Sequence, residues 1–184
     1  HINTELLKRM HREADSEKIK SVFAYVKNRI PKASLRTTFI TGFPGETDEQ
    51  FREMLEFVKT AHIDNLGVFT YSEEEGTPAA LMPDKVPYDV AKKRADKIMA
   101  LQKKLVASSL RAKRGEVLSV IIEGRYKHGK YYGRSYREAP DIDGIVIVNS
   151  DKKLDTGDIV NIKITQTYIS TFCINSDNNR GYAY

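Results

Sequence analysis

Residues 35–47 read LRTTFITGFPGET, and the architecture follows from this stretch. Leu35 to Thr41 is short, apolar and rich in β-branched side chains, the composition of a buried strand. Gly42-Phe43-Pro44-Gly45 ends it, because two glycines and a proline impose a tight loop, expected to leave backbone N–H groups exposed. A helix starts at once. Thr47 is its expected N-cap, Gln50 completes a capping box, and Phe51, Met54, Leu55 and Val58 form the apolar stripe. Strand, glycine loop and helix N-terminus in succession build ligand pockets at the carboxyl ends of strands in α/β proteins, although an ordinary βα connection uses the same parts.

On the N-terminal side, residues 3–12 (NTELLKRMHR) are expected to form a short helix with Leu6, Leu7 and Met10 on one side. Ser16 to Arg29 reads as a second helix, capped by Ser16, with Ile19, Val22, Phe23 and Val26 at helical spacing and Pro31 as its stop. On the C-terminal side, the Thr47–His62 helix leads to a second buried strand, Leu66 to Tyr71, and then to the polar loop SEEEGTPAALMPDKVP. Strand, helix, strand predicts a parallel pair with a right-handed crossover. Pro87 and Asp89 open a long helix running to about Arg114. Its stripe is Ala91, Ala95, Ile98, Leu101 and Leu105, with lysines and arginines filling the remaining faces.

From Gly115 the texture changes. Val117–Glu123, Lys130–Arg137, Gly144–Asn149 and Ile159–Thr165 are strand-like, and Phe172-Cys173-Ile174 is a candidate fifth. Short strands punctuated by glycine and aspartate turns, with no helix, predict a small all-β, OB-like barrel of a kind that often binds oligomers. The fold expected is therefore α/β over residues 1–114 and all-β over 115–175, with a disordered tail at 176–184.

A chain of 184 residues holds one large domain or two small ones. It contains no run of about 18 apolar residues, and its opening HINTELLKRM lacks a signal-peptide pattern, so no membrane partner is expected. The absence of a starting Met is expected of a fragment. The lone Cys173 excludes an internal disulfide and a cysteine-only metal site within the chain, and points to a reducing, cytoplasmic location. The net charge of +5 is unevenly placed: residues 1–84 sum to −3, residues 85–114 to +8, and residues 115–184 to zero. The basic surplus thus sits on the long helix. It reads either as a solvated outer face or as a surface for nucleic acid.

LRTTFITGFPGET, FTYSEEEGTPAA and the terminal small β-barrel together resemble the C-terminal half of the methylthiotransferases, radical S-adenosylmethionine (SAM) enzymes with a terminal TRAM domain. HINTELLKRMHR resembles the segment after their fourth barrel strand, the GFPGET loop follows the fifth, and FTYS ends the sixth. Within that family, the loop Ser72-Glu73-Glu74-Glu75-Gly76-Thr77-Pro78-Ala79 and the hairpin from Gly133 to Gly144 resemble the branch that modifies an aspartate of ribosomal protein S-twelve. The tRNA-modifying branch is the nearest alternative, and a free-standing RNA-binding module is one of another class. A barrel gripping tRNA should carry a basic surplus, whereas this one is neutral and has Glu138, Asp141 and Asp143 in its most distinctive loop. Those acids suit a basic protein partner or simply the chemistry of a turn.

The resemblance implies a radical reaction. One 4Fe-4S cluster cleaves SAM reductively, the resulting radical takes hydrogen from the aspartate β-carbon, and a second 4Fe-4S cluster supplies sulfur. Clusters need several thiolates, so with Cys173 alone their ligands are expected upstream, and the chain by itself is expected to be inert with no catalytic residue of its own. What it would retain is part of the SAM pocket: Arg36 and Thr38 on one strand face, the Gly42, Phe43, Pro44, Gly45 loop for close backbone approach, and Phe69 and Tyr71 for stacking adenine. Phe69 would equally serve as plain core. The substrate-binding candidates are Glu73, Glu74 and Glu75 in the loop after the second strand, with Arg134, Tyr136, Arg137, Glu138, Asp141 and Asp143 in the hairpin. The expected partner is ribosomal protein S-twelve, with ribosome or RNA contact as a further candidate. The resemblance also implies that His1 and Arg12 fall near the active-site mouth, although His1 would equally be a cloning remnant, while His11, His62 and His128 read as surface residues. Two strands are too few to half-form a barrel, so residues 1–114 should leave an apolar strand face uncovered.

Overall fold

A computed structural model describes residues 1–167. The chain falls into two compact units, residues 1–105 and a second beginning at Val106. In the first, the order is α1 (Thr4–Arg9), α2 (Ser16–Arg29), β1 (Arg36–Thr41), α3 (Asp48–Thr60), β2 (Asn65–Thr70) and most of α4 (Tyr88–Ala112). β1 and β2 pair in parallel, with Thr38 opposite Gly67 and Ile40 opposite Phe69. Alternation along a strand sends Phe39 and Thr41 toward the helices, together with Leu66 and Val68 of β2, and leaves Arg36, Thr38 and Ile40 on the opposite face. The core is the helix side: Phe39, Phe51, Met54, Phe57, Val58, Leu66 and Ile98 are all buried and in mutual contact. The other face is open, and Phe69 stands on it 44% exposed. A two-strand piece of barrel does leave one strand face uncovered, but that face is mixed and not apolar, with Arg36, Thr38, Asn65 and Gly67 beside Ile40 and Phe69.

Local chemistry explains the element ends. α3 begins with the expected capping box, in which the Gln50 N–H donates to Thr47 Oγ1 and the Thr47 N–H donates to Gln50 Oε1. α2 is capped by Asp15 rather than Ser16, because the Asp15 carboxylate accepts the Lys18 N–H at 2.7 Å. Ser16 becomes the first helical residue and donates its hydroxyl to Glu53. Val22, assigned to the stripe of α2, is 51% exposed, whereas Ile19 and Phe23 do pack on the core. α1 stops at Arg9, short of the expected residue 12. His11 takes a left-handed φ of 52°, the Arg12 N–H donates to Leu7 O and the His11 N–H to Lys8 O. This is a Schellman stop, with histidine where glycine is usual.

In the second unit β3 (Val117–Lys127), β4 (Lys130–Arg134), β5 (Val146–Asn149) and β6 (Ile159–Lys163) form an antiparallel sheet ordered β5-β4-β3-β6. Val120, Ile122, Tyr131 and Val148 are its core. Two register shifts against β4 bend β3, the signature of bulges that curl a sheet toward a barrel. β3 is longer than expected, and β4 is shorter because Ser135 starts a turn. The candidate strand Phe172–Ile174, Cys173 and the tail 176–184 lie outside the described residues.

Candidate functional site

The loop after β1 is tied inward, contrary to the expectation of exposed N–H groups. The Gly42 N–H donates to Glu46 Oε2 at 2.8 Å, the Gly45 N–H to Asp84 O at 2.8 Å, and the Glu46 N–H to Phe43 O. Gly42 has a φ of 78°, and a Cβ there would sit 2.3 Å from the Cβ of Ala91 on α4. The lack of a side chain at Gly42 therefore lets α4 pack directly against the loop. Gly45 likewise lies against the Arg9 guanidinium, and Pro44 is fully buried. The remaining member of the loop, Phe43, turns its ring to Tyr71 in an edge contact with centroids 5.4 Å apart.

Glu46 is the centre of this arrangement. Its side chain is fully buried, and Arg94 Nη1 reaches Oε1 at 2.8 Å while Nη2 reaches Asp48 Oδ1 at 2.7 Å. His1 is buried beside it, Nε2 lying 3.9 Å from Glu46 Oε2, so His1 is a packed part of the fold. Burial pushes the Glu46 carboxyl above its ordinary 4.5, opposed by the Gly42 N–H and by Arg94. The hydrogen bond from Arg94 holds exposed Asp48 below 3.8. The expectation that arginines of the long helix face solvent fails at Arg94. Position 94 shares a helical face with Ala91, Ala95 and Ile98, a signal that periodicity could have given.

Beyond the carboxyl ends of β1 and β2 lies a hollow of about 510 Å³. Thr38, Phe43, Phe69 and Tyr71, four of the eight candidate cofactor residues, line it; Arg36, Gly42, Pro44 and Gly45 do not. Phe69 is thus a wall of the hollow and not core. Ile40 joins them from β1, Arg9, His11 and Arg12 from the end of α1, and Thr77 to Ala79 from the loop after β2. Sequence reasoning missed Arg9, His11 and Ile40, although Ile40 shares the Thr38 face and the parity of β1 points to it. Glu73, Glu74 and Glu75 do not line the hollow: Glu73 pairs with Lys85, and Glu74 O accepts the Thr77 hydroxyl and N–H.

In the second unit most of the hairpin candidates serve the hairpin. Glu138 Oε2 accepts the Ser135 hydroxyl at 2.6 Å and its N–H at 2.8 Å, Asp143 accepts the Ala139 N–H, and Arg134 pairs with Glu123 at 2.6 Å. Arg137 is buried. Tyr136 and Asp141 are exposed, the latter with a φ of 59°.

Residues 1–58 match the radical SAM superfamily and residues 115–170 the TRAM domain. The chain is 45% identical over 91% of its length to the ribosomal protein uS12 methylthiotransferase RimO of Thermoanaerobacter sp. strain X514, and covers 38% of that protein. It is 46% identical over 83% of its length to the protein of the same name from Alkaliphilus oremlandii, covering 35%, and 43% identical over 90% to that of Clostridium acetobutylicum, covering 37%. Over these spans the chain is similar to radical SAM methylthiotransferases. It spans a little over a third of the relatives it matches. As in the methylthiotransferase pattern, the radical SAM portion is α/β and the TRAM portion a curled antiparallel sheet. Among the described residues no helix is long and apolar enough to cross a membrane, and no group of three or more His, Cys, Asp or Glu side chains is placed to hold a metal ion.

Proposed function

We propose that the chain is the C-terminal part of a cytoplasmic enzyme that adds a methylthio group to the β-carbon of an aspartate in ribosomal protein uS12, and that its first unit forms one wall of the SAM site. The observation that carries this reading is Phe69, a large aromatic held exposed over the hollow, with Thr38 and Ile40 beside it on the same sheet face. An aromatic wall, a threonine hydroxyl and a cationic rim around about 510 Å³ fit a ligand carrying a purine and a carboxylate. SAM, held here by Thr38, Phe69 and Tyr71, would supply the chemistry that activates an unreactive C–H bond. Phe69 and Tyr71 would flank the adenine, Thr38 would meet polar groups, and Ile40 and Phe43 would keep water from the reacting end.

The described residues do not fit a cluster, since they include no cysteine and clusters require several thiolates. Both 4Fe-4S clusters would be held by sequence outside this chain, which alone would be inert. Glu73, Glu74 and Glu75, with Tyr136 and Asp141 of the TRAM unit, would offer acidic and aromatic contacts to the substrate protein. A tRNA substrate is less well supported: residues 115–184 carry no net charge, and on α4 Lys92 and Lys93 are paired with Asp96 and Asp89.

The test uses the full-length enzyme with its clusters restored, offered uS12 and tRNA in parallel. The reading expects uS12 alone to gain the mass of one methylthio group, and modification of tRNA alone would refute it. Phe69→Ala should weaken SAM binding about tenfold or more by equilibrium dialysis. Neutralising Glu73, Glu74 and Glu75 together to glutamine should weaken binding of uS12 with little change in SAM affinity.

A further inference from the structure

The loop between β4 and β5 turns its charges inward and its apolar side chains outward. Tyr136, Ile142, Ile145 and Ile147 are all 40–52% exposed within this one stretch. That density exceeds the scatter of single exposed hydrophobics that any surface carries. The ionic groups of the loop serve its own construction. Glu138 accepts the Ser135 N–H and hydroxyl, Asp143 accepts the Ala139 N–H, and the Arg137 N–H donates to Ser135 Oγ. Arg134 pairs with Glu123, and Arg137 is buried. Ala139 O closes the turn by accepting the Ile142 and Asp143 N–H groups. Alternation into β5 keeps Ile145 and Ile147 outward while Val148 packs in the core, and Ile147 stands opposite Tyr132. These bonds fix the backbone before any partner arrives, so the loop has little freedom left to lose on contact.

We propose that this loop grips an aliphatic segment of the substrate protein through Tyr136, Ile142 and Ile145, apart from the contacts made to the reacting aspartate. This rests on the uS12 reading given above. A hollow of about 510 Å³ that holds SAM leaves space for little more than one side chain, so it cannot tell one protein's aspartate from another's. That discrimination has to come from parts of the substrate that do not react. Buried in a partner, exposed isoleucines and a tyrosine are the side chains that supply such energy. Asp141, exposed beside Ile142, adds one carboxylate and so favours a protein with a cation next to its aliphatic segment. Nucleic acid fits poorly, since its grip needs cations that can reach phosphates, and here Arg134 is paired and Arg137 buried. A second copy docking by the same face would bring two Asp141 carboxylates into one apolar contact, which like-charge repulsion opposes. The acids of the loop thus build its shape, and the apolar side chains make the contact.

The experiment compares full-length enzyme, clusters restored, with two double variants: Ile142→Thr with Ile145→Thr, and Ile142→Val with Ile145→Val. Threonine keeps the β-branched shape and removes apolar surface, so both should melt with the wild type, and that melt is the folding control. Affinity for uS12 is read by competition binding, for SAM by equilibrium dialysis and for tRNA by filter binding. The threonine pair should weaken uS12 binding about ten- to a hundredfold and the valine pair less than about fivefold, with SAM affinity within about threefold of wild type throughout. Should the threonine pair melt early, Tyr136→Ser carries the same test, with about a tenfold loss of uS12 affinity expected. Binding of uS12 within about threefold of wild type in the folded variants overturns the proposal. A loss of tRNA affinity with uS12 binding intact also overturns it, and assigns the loop to nucleic acid. So does a wild-type dimer that the threonine pair dissociates in sedimentation, which assigns the loop to a second copy. If wild type cleaves SAM but neither binds nor modifies uS12, the uS12 reading itself has failed, and the assignment of the loop falls with it.

Discussion

Nη1 of Arg94 lies 2.8 Å from Oε1 of Glu46, with both side chains withdrawn from water and 48 positions apart in the chain. Through this pair α4 holds the loop that follows β1, since the other oxygen of Glu46 accepts the Gly42 N–H. The geometry of Phe43 at the edge of the hollow therefore depends on a residue of a distant helix.

Removing one partner of a buried pair strands the other. Arg94→Met should lower the unfolding free energy by about 3–5 kcal/mol, read from urea denaturation. Adding Glu46→Gln should recover part of that, because the amide oxygen still accepts the Gly42 N–H and no charge is left buried. A single-variant loss under about 1 kcal/mol would contradict the role given to the pair.

Glu46 and Asp48 share Arg94 yet should titrate with opposite effects. Burial raises Glu46 above 4.5, so the folded chain keeps that proton longer than the unfolded one, and stability falls as pH rises through the window above 4.5. Asp48 is held below 3.8 by Arg94, so its contribution is present above 3.8 and is lost as pH falls through the lowered value. Thermal melts across the acid range should show Glu46→Gln flattening the first trend and Asp48→Asn the second. Interchanged effects would refute the assignment.

Two glycines with nearly the same backbone separate conformational strain from steric clash. Gly42 and Gly76 have φ of 78° and 79°, but a Cβ would meet Ala91 at 2.3 Å in the first case and nothing within 4 Å in the second. Gly76→Ala should destabilise by about 1 kcal/mol and Gly42→Ala by about 3 kcal/mol or more, measured by urea midpoints. Equal effects would show that the loop yields around the added methyl.

His11→Gly should raise stability by about 0.5–1 kcal/mol, since glycine relieves the left-handed cost while the Schellman bonds remain. His11→Ala should give no such gain. A loss of stability with glycine would mean that the imidazole makes a contact worth more than the strain.

The parts of this fold that rest on neighbours in sequence were readable in advance. The capping box at Thr47, the parallel βαβ unit, the four strands from Val117 onward, and Thr38, Phe43, Phe69 and Tyr71 at the hollow all follow from spacing or resemblance. What escaped rests on distant partners. Within LRTTFITGFPGET, Glu46 accepts the Gly42 N–H and Phe43 O the Glu46 N–H, but Asp84, which accepts the Gly45 N–H, and Arg94, which holds Glu46, lie some 40 or more positions away and could not be read from the stretch. Asp15 displaced Ser16 as a cap because either side chain can accept the amide and only the folded chain engages Ser16 with Glu53. Glu138 and Asp143 looked like a surface for a partner, but their oxygens go to the hairpin's own backbone, the turn chemistry that was the other reading. Arg12 has its place only because α1 ends three residues before the apolar spacing suggested.

Because β1 and β2 are covered by helices on one face alone, the parity of a residue number carries information. Along β1 the odd positions 37, 39 and 41 turn toward the helices, whereas along β2 the even positions 66 and 68 do so. In a saturation screen of the full-length gene, substitutions at those positions should deplete the protein from the cell. Substitutions at 38, 40, 67 and 69 should leave abundance nearly intact while silencing activity. Evolution can thus retune what the open face touches without renegotiating whether the chain folds.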